Sequence, residues 1–168
     1  MSTGPADTGS VYLCIDLKCF YASVECADRG LDPFRTNLVV ADSCRGKGTI
    51  CLAITPAMKA LGVRNRCRVF EIPKSVDFIE CRPHMRRYME ESAEIYGIYL
   101  RYFSPEDIHV YSVDECFIDV TGYLRLYGET PVSMAKKLMA VIREELLDIK
   151  ARYADPRRTQ LISLEKDS

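Results

Sequence analysis

Acidic side chains end two apolar, strand-like runs in this chain, and they constrain its fold more than any other feature. The first run, residues 11–16, closes on Asp16 within CIDLKCFYASVE (14–25). The second segment, YSVDECFIDVT (111–121), holds the adjacent pair Asp114-Glu115. A carboxylate on a strand is expensive to desolvate, and neighbouring carboxylates repel each other. A divalent cation between them relieves both penalties. If the two segments are neighbours in one sheet, Asp16, Asp114 and Glu115 converge on a point suited to two-metal phosphoryl or nucleotidyl transfer.

The remaining pattern gives an α+β frame around that point. Residues 18–27 carry Phe20, Val24 and Ala27 at helical spacing, ended by Arg29-Gly30. Apolar runs at 38–41 and 49–54 flank DSCRGKG, a flexible hairpin loop. A short helix at 56–61 stops at Gly62 before the basic RNRCR, and 76–80 reads as another strand. Pro83 opens a long helix with Met85, Tyr88, Met89, Ile95, Tyr96 and Tyr99 along one stripe, ended at Ser104-Pro105. Runs 108–113 and 116–120 form a tight hairpin with the acidic pair at its tip. Thr130-Pro131 starts a last helix whose Val132, Ala135, Leu138, Met139, Ile142 and Leu146 face a sheet. Beyond Asp148 the chain turns polar, with one weak strand at 160–164. With 19–76 set aside, the order is β-α-β-β-α, one strand short of a ferredoxin-like split βαβ unit. That layout puts the first strand beside the hairpin, so fold and metal hypothesis support each other.

Bulk properties exclude several classes. A chain of 168 residues, 48% apolar and 28% charged, builds one medium domain or one domain with an insert. Its net charge of −1 gives no global pull towards polyanions, so any nucleic-acid contact is local. Eight cysteines contain no CxxC pair, and the only histidines, His84 and His109, lie in unrelated segments, which argues against structural zinc. The cysteines read as small apolar residues kept reduced in a cytoplasm. No signal peptide or membrane span is expected.

At the two acidic segments the chain resembles the Y-family (translesion) DNA polymerases, the UmuC-like branch in particular. IDLKCFYASVE is similar to that family's first catalytic motif, and SVDECFIDVT to its SIDE-type motif. The resemblance runs from about Val11 to about Asp148. It implies a ferredoxin-like palm (11–18 and 77–148, last strand missing) with a small fingers subdomain inserted at 19–76. It also implies a leader at 1–10, expected to be disordered, and a divergent tail at 149–168. Asp16, Asp114 and Glu115 would then hold two Mg²⁺ ions, or Mn²⁺, with the Leu17 carbonyl assisting. Tyr21 falls at the steric gate, crowding a ribose 2′-hydroxyl. The N–H groups of Phe20 and Tyr21 would receive phosphate oxygens. Lys59 stands where relatives carry the arginine of a Tyr-x-x-Arg triphosphate clamp, Pro56 replaces its tyrosine, and Thr55 would supply a hydroxyl nearby. Lysine is a point charge and does not grip bidentately as arginine does. Lys18 replaces an Asp frequent in DinB-like members.

The implied function is template-directed DNA synthesis past damage, in DNA repair and the SOS response. The implied partners are primer–template DNA, dNTP, and a sliding clamp or recombinase filament. The family's GIGxN-like helix start, thumb and little finger do not follow Asp148, so the chain is expected to be a truncated polymerase. Two alternatives stay open. One is a catalytically silent remnant that binds nucleotide or a partner; the other is a nucleotidyl cyclase, against which Phe20-Tyr21 and the insert argue. Asp119 is expected on an exposed strand face, Glu90, Glu91 and Glu94 on a solvated helix face, and Arg82, Arg86 and Arg87 at a helix end. Arg64, Arg66 and Arg68 suit the lining of a template strand or a triphosphate channel, but charged loops are usually just solvated, and Arg45-Gly46-Lys47-Gly48 lacks P-loop spacing.

Overall fold

The computed structural model describes residues 9–148 and 162–166. The proposed leader therefore lies outside the described residues except at 9 and 10, and the tail except at 162–166.

Alternation decides which way the first strand faces. In β1 (Tyr12–Leu17), Leu13, Ile15 and Leu17 are buried while Tyr12, Cys14 and Asp16 are half-exposed. The same alternation runs through β6 (Glu115–Asp119), where Cys116 and Ile118 are buried. The strands pair antiparallel with Ile15 opposite Cys116 and Asp16 opposite Glu115. On the far side of β6 lies β5 (Ile108–Val110), giving an antiparallel hairpin. Residues 111–113, expected in this strand, form the connecting loop together with Asp114 instead, so Glu115 begins β6 and Asp114 ends the loop before it.

The sheet is four-stranded, in the order β5-β6-β1-β7, with β7 at Ile162–Lys166. This corrects the expectation of a missing last strand: β7 pairs antiparallel with β1 along Leu13–Leu17. The physical reason is the ladder of unmet N–H and C=O groups that β1 would otherwise present at an edge.

Two helices cover the buried face of this sheet, α3 (Met85–Tyr99) and α5 (Pro131–Asp148). Tyr88, Ile95, Ile98 and Tyr99 of α3 join Met134, Leu138 and Ile142 of α5 and Leu13, Ile15 and Ile118 of the strands in one core. The expected stripes are therefore rotated. Met85, Met89 and Val132 are exposed, whereas Glu91 is buried and bonded to Arg87 at 3.0 Å. Arg87 also grips both oxygens of Asp28, tying α3 to α1 (Phe20–Asp28). A further short helix, α4 (Thr121–Leu126), was not foreseen. Asp119 caps its start, accepting from the Thr121 N–H and hydroxyl at 3.0 and 2.6 Å.

A second sheet of order β3-β2-β4 carries the residues between. Its strands are β2 (Leu38–Val40), β3 (Ala53–Ile54) and β4 (Ile79–Cys81), with β3 antiparallel and β4 parallel to β2. The run 49–54 contributes only its last two residues to the strand, because Ile50 and Leu52 point to solvent. Likewise 76–78 precede β4 instead of forming it. The β2–β3 loop holds a short 3₁₀ turn at Ser43–Arg45. A smaller apolar cluster forms here around Val39, Ile54, Met58 and Ile72. All eight cysteines are free, and five of them are buried (26, 51, 67, 81 and 116). Among the described residues no helix is long and apolar enough to cross a membrane.

Candidate functional site

The acids meet because of register. Asp16 and Glu115 are direct cross-strand partners on the half-exposed face of the sheet. Side chains placed this way have Cβ atoms about 5 Å apart, and like charges so placed destabilise a ladder. Asp114 is locked beside them: its carbonyl accepts the Leu17 N–H at 2.8 Å. The Ser112 hydroxyl lies 2.9 Å from Asp114 Oδ1 and 3.4 Å from Glu115 Oε2, linking the two carboxylates. Ser92 on α3 donates to the Val113 carbonyl at 2.5 Å and pins this loop to the helix layer. Neither Asp114 nor Glu115 forms an ion pair with a basic side chain among the described residues. As the side chains stand, no three His, Cys, Asp or Glu among those residues form a closed metal cage. The donor set is nonetheless all oxygen, the preference of hard divalent cations.

From β1 the chain turns sharply into α1. Cys19 makes the turn in the left-handed region, φ 53°. This conformation is uncommon outside glycine and clusters at functional sites. It brings Phe20 and Tyr21 to the N-terminus of α1, directly after the acid strand. Phe20 is buried in the core. Tyr21 is half-buried, and its ring stacks on Tyr88 with centroids 4.4 Å apart. Burial pushes the Tyr21 hydroxyl above its ordinary pKa, the nearby Asp114 charge adds to this, and Arg66 opposes it. The Tyr21 hydroxyl thus sits in the field of both an acid of the ladder and a cation of the loop.

The expected phosphate side is arranged differently. Thr55 does not present its hydroxyl to solvent, which corrects its reading as a substrate contact. Its Oγ1 donates to the Thr36 carbonyl at 2.7 Å and accepts the Leu38 N–H at 3.2 Å, fully buried. The hydroxyl is consumed joining the start of β2 to the end of β3. Lys59, on α2 (Pro56–Ala60), is exposed. Arg66, weighed from sequence as a solvated loop charge or a channel-lining one, is exposed. It too is left-handed, φ 58°, and its side chain has no hydrogen bond or ion pair among the described residues. Nothing in the run RNRCR distinguishes Arg66 from Arg64 or Arg68; only its backbone does.

Residues 15–155 match the impB/mucB/samB family. The chain is 34% identical over 139 residues to DNA polymerase IV 2 of Bacillus subtilis (strain 168), covering 81% of this chain and 32% of that protein. It is 35% identical over 103 residues to DNA repair protein homolog YozK of the same organism, covering 61% of this chain and 90% of YozK. Its fold superposes on a Y-family DNA polymerase chimera of Dbh and Dpo4 with TM-score 0.68 at 18% identity, over 93% of this chain and 41% of the other. The chain thus spans about a third of the length of the polymerase-named relatives it matches.

Proposed function

Because the chain belongs to the impB/mucB/samB family of Y-family DNA polymerases, we propose that its acid-ended ladder is the metal- and nucleotide-binding part of a template-directed translesion DNA polymerase. The observation that carries this reading is the Asp16–Glu115 register pair, with Asp114 next in the chain. Face-to-face carboxylates destabilise a sheet unless a cation is their purpose.

On this reading residues 11–18 and 77–148 form the palm, of the ferredoxin-like kind, which the antiparallel order β5-β6-β1-β7 favours. Residues 19–76 form the fingers. Asp16, Asp114, Glu115 and the Leu17 carbonyl hold two Mg²⁺ ions, with Mn²⁺ an effective substitute. Bound there, such ions would supply Lewis-acid activation of the primer 3′-hydroxyl and neutralisation of charge on the departing pyrophosphate. Ser112 keeps Asp114 and Glu115 in one orientation. The first N–H groups of α1, at Phe20 and Tyr21, face phosphate oxygens. Tyr21 bars the ribose 2′-hydroxyl, and Lys59 supplies charge to the triphosphate. The primer 3′-hydroxyl attacks the dNTP α-phosphorus and pyrophosphate leaves. Primer–template DNA is the partner this chemistry requires.

A calorimetric titration of the full chain with dATP in Mn²⁺ tests the reading. Binding is expected in the wild type, and a loss of about tenfold or more in Asp114→Ala, the order of losing a charged ligand. Equal affinities in both proteins, or no affinity in either, would defeat the metal-site assignment. Binding without any primer extension would favour the silent, nucleotide-binding alternative.

A further inference from the structure

Behind Tyr21 the chain buries a carboxylate that the proposed reaction does not use. Glu25 stands one helical turn after Tyr21 on α1 and is 2% exposed. A buried carboxylate is tolerated only when donors meet its oxygens. Here Oε1 takes the Tyr88 hydroxyl and His84 Nδ1, each at 2.6 Å, while Oε2 is ion-paired with Arg29. Tyr88 is fully buried, and its plane lies 11° from that of Tyr21. Tyr21 and Glu25 thus engage the same α3 side chain at different points: Glu25 fixes its hydroxyl, and Tyr21 lies on its face.

We infer that Glu25 is a positioning residue for sugar selection: by holding the Tyr88 hydroxyl it fixes the ring on which Tyr21 rests. This rests on the nucleotide-binding reading above. A stacked ring pair resists sliding only weakly, whereas a hydrogen bond to a buried charge is short and directional. The directional bond therefore sets where Tyr88 lies, and stacking transfers that position to Tyr21. Exclusion of a single hydroxyl depends on clearances of a fraction of an ångström, so loosening Tyr88 admits ribose without removing any group that touches the nucleotide. His84 and Arg29 act one step further back, holding the carboxylate itself.

The test is the affinity of the full chain for dATP and for ATP in Mn²⁺, measured for wild type, Glu25→Gln, Tyr88→Phe and the double variant. The wild type is expected to prefer dATP. Glu25→Gln is expected to keep dATP affinity within about twofold and to lower the dATP/ATP ratio about tenfold, as weakening a charged hydrogen bond allows. Tyr88→Phe keeps the packed ring and loses only the hydroxyl, and the same fall is expected. The double variant should fall no further, since both changes cut one link. An unchanged ratio in folded Glu25→Gln, or equal weakening of both nucleotides, would reduce Glu25 to a structural support and overturn the inference. Should Glu25→Gln fail to fold, an unchanged ratio in Tyr88→Phe overturns it alone. A wild type that binds neither nucleotide sinks the polymerase reading and this inference together, whereas one that binds both alike overturns this inference alone; the wild-type arm therefore tells the two failures apart.

Discussion

At the acid end of the site, Asp16 and Glu115 ride on strands of six and five residues paired antiparallel from Tyr12–Asp119 to Asp16–Glu115. At the cationic end, Thr55, Lys59 and Arg66 are attached to a two-residue strand, a five-residue helix and a loop. A ladder flanked on both sides sets the separation of its side chains through backbone bonds alone. The short elements have no such redundancy, and their geometry rests on single side chains. Thr55 is the clearest case. The acids are thus preorganised by the fold, whereas the cations depend on a few local bonds.

The largest expected effect at the cationic end follows from that dependence. Thr55→Val removes the acceptor of the Leu38 N–H and the donor to the Thr36 carbonyl, leaving buried backbone groups unmet. A cost of about 2 kcal/mol is expected in denaturant unfolding. Below the melting transition, dATP affinity should stay within about twofold, since the hydroxyl faces no ligand. A folded Thr55→Val that loses nucleotide affinity without losing stability would restore Thr55 as a contact and blur the contrast between the two ends.

How far the sequence could be read follows the same division. The acid ladder was legible because alternation and spacing are local signals: Leu13, Ile15 and Leu17 declare one face, and Asp16 must then lie on the other. The succession β1, α3, β5, β6 and α5 was legible for the same reason, though not α4 between β6 and α5. β7 was legible only as a weak run at 160–164, because its residues carry little pattern of their own; what places 162–166 is the edge of β1, which no local window contains. The rotated stripe of α3 has a similar cause. Glu91 looks solvated in sequence, and its pairing with Arg87, held also by Asp28 of α1, helps make its burial tolerable. Thr55 was misjudged because its hydroxyl is claimed by a partner carbonyl, which composition does not encode; Arg66 is exposed, as read, and only its left-handed backbone was not legible.

Where α1 joins the two ends, an intermediate effect is expected from pH. Burial works to raise the Glu25 pKa, but the donors Tyr88, Arg29 and His84 outweigh it and hold the carboxyl below its ordinary 4.5. A folded-state value below the unfolded one means stability that is present above pH 4.5 and lost as pH falls from there through the folded value. Glu25→Gln lacks this contribution. The gap in unfolding free energy between wild type and Glu25→Gln is therefore expected to be about 1.5 kcal/mol at pH 7 and to narrow below the ordinary value. A gap that stayed constant through the acid range would mean that folding leaves the Glu25 pKa unshifted, and the network around Tyr88 would need a different account.

The smallest effect on stability, and the sharpest on the contrast, belongs to Arg66. A left-handed arginine is strained, and glycine accepts φ 58° freely, although it gives the unfolded chain more entropy. These terms oppose each other, so Arg66→Gly is expected to change stability by no more than about 0.5 kcal/mol, in the stabilising direction. Its side chain makes no bond whose loss would offset this. What the chain keeps by tolerating the strain is a positive charge within electrostatic reach of Tyr21. Arg66→Gly is therefore expected to weaken dATP binding about fivefold at low salt, less as ionic strength rises, while Lys59→Ala, another exposed charge, gives a comparable or smaller loss. Arg66→Lys, which keeps charge and strain, should recover most of the affinity. If Arg66→Gly instead destabilises the chain and leaves dATP binding intact, the left-handed turn serves the fold alone. The cationic end would then consist of Lys59 and the N–H groups of α1.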